Sequence, residues 1–135
     1  MYSFRNIVFY NHFHNGDLHL SRTFVQRIID TISKQDANIK FFYAHRNNAS
    51  LLSDIPKLTY SNNFFNNIKS EKLGDFIIGD TLYINTWYAS NNYLYMNNYG
   101  ITFDCLYTLF DDVCKRQFSF SLADIDSVPQ NFFPK

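Results

Sequence analysis

Three of the four histidines, His12, His14 and His19, crowd into one short stretch with Asn15, Gly16 and Asp17, and Arg22 follows directly. Imidazoles and a carboxylate at this spacing suit three kinds of chemistry. His-x-His on an extended strand places both rings on one side, where they could ligate a divalent metal. Asp17 could take up a proton as a general base. The same groups could orient the hydroxyls of a bound ligand through hydrogen bonds. Metal sites of this kind draw further ligands from well-separated segments. Here only His45 remains, so neither metal nor cofactor is assigned. A phosphate on the helix that follows would meet Asp17, which argues for a hydroxyl-bearing ligand or a proton-transfer role. A purely structural reading stands beside these: Asn15-Gly16 is a common turn pair, Asp17 a common helix cap, and loop histidines are often solvated.

Other chemistries lack their residues. Neither Cys105 nor Cys114 falls at a strand end, no serine sits in a G-x-S-x-G elbow, and G-x-G-x-x-G is absent. The two cysteines lie nine residues apart on one predicted helix, about 13 Å along its axis, too far for a disulfide. They read as helix-packing thiols.

The elements that must position the histidine stretch follow from periodicity. Ile7 to Tyr10 is an apolar run without alternation, as in a strand covered on both faces of a parallel sheet. After the loop, Phe24, Val25, Ile28, Ile29 and Ile32 form an apolar stripe, predicting a helix over 18–34 capped by Asp17 or Ser21. A second strand is predicted over 39–44, with His45 and Arg46 beyond its carboxyl end, on the same edge as the histidine loop. Ser50 to Ile55 reads as one or two helical turns stopped by Pro56, and Leu58 to Tyr60 as a short strand. Phe76 to Trp87 is two β-prone runs split by Gly79-Asp80, a hairpin signal, with the better strand over 82–87. Trp87, at its exit, either touches the ligand or packs at the sheet end. A second amphipathic helix, over 103–117, is capped by Thr102. The order of elements predicts an α/β fold, a three-layer sandwich about a Rossmann-like, mostly parallel sheet. Residues 1–121 would form this domain. Residues 122–135 read as a tail or the start of a linker.

Composition narrows the partners. The chain has 135 residues, 46% hydrophobic and 19% aromatic, enough for a self-supporting core. Its formal net charge is zero, with 12 basic and 12 acidic residues and no basic run to track a phosphate backbone, so nucleic acid is not expected as a main partner. No stretch approaches the length of a membrane span, and no leader-like apolar run opens the chain, so the protein is expected to be cytoplasmic.

From Val8 to Arg22 the chain resembles the opening of GT-B glycosyltransferases, in particular the heptosyltransferase-like group, whose first strand leads into a loop carrying Gly-Asp at the head of the first helix. It also resembles a set of uncharacterised bacterial and viral proteins sharing N-G-D-x-H-x-S-R, here Asn15 to Arg22. Their later stretch is echoed by Asp80 to Trp87 and a helix with Tyr107-x-x-Phe110. The resemblance implies the N-terminal, acceptor-holding half of an enzyme that transfers a sugar from a nucleotide-sugar to a hydroxyl acceptor. A second Rossmann domain would bind the donor, so this chain, as a fragment, a split enzyme or a degenerate form, would need that partner. The resemblance maps the base that deprotonates the acceptor onto Asp17. His12, His14, Asn15, Gly16, His19, Arg22, His45 and Trp87 are the candidate substrate-binding residues. The alternative is a non-catalytic α/β module that binds a ligand or a protein.

Overall fold

Strand β1 (Asn6–Asn11) is buried from Ile7 through Asn11, as a run of large side chains without alternation requires. The computed structural model describes residues 2–11, 15–45, 52, 54–61, 75–86 and 102–125, with the backbone alone at 15–20, 102–105 and 125. Around β1 stand β2 (Lys40–His45), β3 (Leu58–Tyr60), β4 (Asp75–Ile78) and β5 (Thr81–Asn85), in the order β3-β2-β1-β5-β4. The pairs β1–β2, β2–β3 and β1–β5 are parallel, and β4 joins β5 antiparallel. The sheet is therefore mostly parallel and the fold α/β, as expected. The predicted strands stand within two residues of their expected bounds.

Side-chain alternation sorts the sheet into two faces. Ile7 and Phe9, Phe41 and Tyr43, and Leu82 and Ile84 join the large core with helices α1 (Asn15–Gln35) and α2 (Thr102–Val113). Phe24 of α1 stacks on Phe110 of α2 at 5.0 Å, so both helices lie on this one face. Val8, Tyr10, Ala44 and Tyr83 form a smaller buried cluster on the other face, where Phe76 stacks on Tyr83 at 4.9 Å. The described residues thus supply the sheet and one helical layer of the three expected.

Helix α1 starts at Asn15, three residues before its predicted start. Asn15 and Gly16 are helical and not a turn, Asp17 is the third helical residue and not the cap, and Ser21 lies in the interior. Glycine inside a helix costs about 1 kcal/mol, which the packing of a 21-residue helix outweighs. An aspartate in the first turn still gains from the helix dipole.

The Gly79-Asp80 hairpin is present: Ile78 pairs with Thr81, and Gly79 has φ +63°. A positive φ at the first of two turn residues is the type II′ requirement that glycine meets. Space for a side chain is open there, so Gly79→Ala should cost only the backbone strain, about 1–2 kcal/mol, in a denaturant titration. On the opposite edge, Leu58 N–H donates to the Ile55 carbonyl across Pro56 and Lys57, a type II turn in which Lys57 (φ 71°) holds the left-handed position.

Beyond Val113 the second helix departs from expectation. It continues as a single π turn, Cys114–Phe118, ending at Ser119 in the left-handed conformation. Asp75 of β4 draws this turn in, accepting from Arg116 and, at 2.6 Å, from the Gln117 amide. The first residues of the expected tail also fold. Leu122 is buried in the core, and Leu122–Ile125 form a 3-10 turn. Its entry is a reciprocal cap: Ser121 N–H donates to Asp124 and Asp124 N–H to the Ser121 hydroxyl, at 3.0 and 3.3 Å. Hydrogen bonds to it from the Ser121 N–H and the Ser121 hydroxyl hold the Asp124 carboxyl below its usual range.

Cys114 is a free, buried thiol, and burial, with the Asp111 charge adding to it, pushes it up to about 12 from a usual value of 9.0. Above pH 9 the unfolded chain releases this proton and the folded chain keeps it, so the unfolded state gains and stability falls as pH rises toward 12. The slope is about 1.4 kcal/mol per pH unit. Comparing wild type with Cys114→Ala in urea at pH 8 and pH 10 checks this: only the wild type should show the thiol's share of the loss.

Candidate functional site

Away from β1 the chain runs to β2 and β3 on one side, and β5 lies on the other. The order reverses between β1 and β5, and in open α/β sheets ligands bind outside the carboxyl ends of the strands at such a switch point. The core on the helix face rises toward that edge in three tiers. Ile7, Phe41 and Leu82 form the first, and Phe9, Tyr43 and Ile84 the second. The third is polar: Asn11, His45 and Thr86, one from the end of each strand and all buried.

The third tier is knit together by hydrogen bonds. Thr86 N–H donates to the Tyr10 carbonyl at 2.8 Å, extending the β1–β5 pairing beyond β5. The Thr86 hydroxyl donates to the same carbonyl at 3.2 Å, receives the Asn11 amide at 3.1 Å, and lies 2.9 Å from the Tyr43 hydroxyl. Proton counting sets the direction. Having given its only proton to an acceptor, Thr86 must receive that of Tyr43. Tyr43 must then accept from Ser21, 3.1 Å away on α1. A directed chain thus runs from Ser21 through Tyr43 and Thr86 to the β1 backbone. It ties the second turn of α1 to β2 and to the ends of β1 and β5, with every member buried and satisfied, as interior polar groups must be.

Ser21 also extends the apolar stripe of α1 by one turn, being three and four residues before Phe24 and Val25. Asp17 precedes Ser21 by four, so helical spacing puts it on the same face, one turn nearer the amino terminus. Asn15, Gly16 and His19 lie in these first two turns as well. His45 is at the expected edge, in register with Asn11, but buried in the tier and not on the surface. Arg22 is ion-paired with Asp54 in the β2–β3 connection, so its guanidinium anchors α1 there. His12, His14 and Trp87 lie outside the described residues.

Neither a family model nor a curated protein nor a solved structure matches this chain. What the site can do rests on its own geometry. Among the described residues no group of three His, Cys, Asp or Glu side chains could hold a metal ion. Among them, too, no helix is long and apolar enough to cross a membrane.

Sequence reasoning missed Asn11, Ser21, Tyr43 and Thr86 as supports of the site. A signal for two of them, Asn11 and Thr86, was there. Counting by twos past Phe9, Tyr43 and Ile84 reaches Asn11, His45 and Thr86, three polar residues ending three apolar strand faces.

Proposed function

We propose that this chain is the acceptor-side domain of a GT-B-type glycosyltransferase, holding a hydroxyl acceptor at the carboxyl edge of its sheet, with Asp17 as the base. The supporting observation is the polar tier at the β1/β5 switch, linked through Ser21 to the turn of α1 next to the one that carries Asp17. A base must be held within hydrogen-bond reach of the hydroxyl it deprotonates, and a buried, fully bonded chain holds the helix start in place. His12, His14, Asn15, Gly16, His19 and Trp87 would surround the acceptor in this reading, with the buried His45 in the polar tier that supports them. A second, donor-binding Rossmann domain would supply the sugar nucleotide.

A second reading is a non-catalytic α/β module that binds a ligand or a partner chain. It is favoured by one observation: the described polar groups of the edge are engaged with one another, and Arg22 with Asp54. Titrating the isotope-labelled chain with mono- and disaccharides, and separately with nucleotide-sugars, tests the site. Sugars should shift the amide signals of residues 15–22 together with Asn11, Asn85 and Thr86, and nucleotide-sugars should not shift them more. Shifts confined to the amino-terminal edge of the sheet would overturn the site, and no shift with any sugar would favour the binding-module reading.

A further inference from the structure

A cavity of about 380 Å³ opens at the opposite, amino-terminal edge of the sheet, lined by Tyr2, Gln35, Asp36, Gln117, Phe118 and Ser119. Asp36 is an unusual wall for it. Its side chain is only 5% exposed, and Oδ1 accepts the Asn38 N–H at 3.0 Å, closing the turn between α1 and β2. Oδ2 is buried with no hydrogen-bond partner among the described residues. Its nearest cation is the Arg5 guanidinium at 3.6 Å, outside hydrogen-bond range, on a side chain that is 47% exposed. A buried carboxylate oxygen left without a donor is costly, and a half-solvated arginine at that distance repays little of it.

The other walls suit an organic cation. The Tyr2 ring meets Phe118 edge-on at 5.7 Å and stacks on Phe4 at 5.2 Å. Its hydroxyl donates to the Gln35 amide oxygen, which keeps the ring beside the cavity. Aromatic rings beside a carboxylate attract a cation carrying an alkyl stem, through the ring faces and through burial of the stem.

We propose that this cavity binds a small alkylammonium group, whose N–H donors satisfy Asp36 Oδ2 by displacing the Arg5 guanidinium, with the alkyl stem lying against Tyr2 and Phe118. The site is independent of the carboxyl-edge reading, being built from other residues at the other end of the sheet. Ligand and Arg5 compete for one oxygen.

The probe is n-butylammonium chloride, followed through the amide signals of Asp36, Asn38 and Gln117 in the full chain, with sodium chloride at equal ionic strength and 1-pentanol as controls. The ammonium should produce saturable shifts that neither control reproduces. Asp36→Asn keeps the acceptor for Asn38 N–H but removes the charge, and should weaken binding at least about tenfold. Arg5→Ala removes the competitor and should tighten binding severalfold. Tyr2→Leu should weaken it about threefold. Shifts equal to those of sodium chloride, or binding unchanged in Asp36→Asn, would overturn the proposal and leave Asp36 as a turn residue whose second oxygen is met by water. Weaker binding in Arg5→Ala would overturn the displacement.

Discussion

Thr86→Val should lower the stability of this domain by about 2–4 kcal/mol, although the two side chains have nearly the same shape. Valine cannot accept the Asn11 amide or the Tyr43 hydroxyl, nor donate to the Tyr10 carbonyl, so two buried donors lose an acceptor together. The Tyr10 carbonyl keeps the Thr86 N–H and suffers least. Urea unfolding gives the free energy directly, and a fall in Tm of about 10 °C should accompany it. The companion variant Tyr43→Phe distinguishes a bonded chain from mere proximity. In the double variant Thr86→Val/Tyr43→Phe, no unmatched tyrosine hydroxyl is left facing the methyl groups of the introduced valine. The combined loss should therefore be smaller than the sum of the two single losses by about 1 kcal/mol or more. Strict additivity would show that the 2.9 Å contact contributes no coupling.

Asp17→Asn should cost about a hundredfold or more in sugar transfer, measured with the domain joined to its donor half, with little change in melting temperature. The two readings of Asp17 make different demands. As a residue of the first helical turn it gains from the dipole, an effect of about 0.3–1 kcal/mol, most of which asparagine forfeits at small cost to the fold. As a base it must accept the acceptor's proton, which an amide cannot do. Full activity in a variant of unchanged stability would end the base assignment. Absence of transfer with any sugar nucleotide, even in the joined protein, would replace the enzyme reading with the binding module. Ser21→Ala is the matching control, since it removes the donor to Tyr43 while leaving Asp17 in place. It should lower stability by about 1 kcal/mol and reduce transfer less than Asp17→Asn.

Local periodicity determined much of this protein. The stripe from Phe24 to Ile32 specified α1 because a 3.6-residue repeat buries one face only as a helix, and all five of its residues are buried. The unbroken apolar run of β1 specified a strand covered on both sides, and Gly79-Asp80 specified the hairpin, since each depends on residues close in the chain. That β1 and β2 end on one edge, with Asn11 in register with His45, was legible for the same reason, because successive parallel strands with a helix between them must end on one side. The Ser121–Asp124 cap was not read from the sequence, because it lies in a stretch without periodicity that reads as tail.

Tertiary structure alone decided which strand became the second neighbour of β1. That β5 lies beside β1, placing Thr86 on Asn11 across 75 residues, is set by how the hairpin packs against β1. No local pattern encodes that choice. The π turn at Cys114 is likewise decided at long range, where Asp75 takes Arg116 and Gln117 together. Arg22 reads from its position as a ligand contact and is held by Asp54, because a side chain's partner depends on what the fold brings near it. The polar tier lies between these cases. The sequence places a polar residue at the end of each strand face, and only the register, set by core packing, makes Asn11, Tyr43 and Thr86 one bonded group.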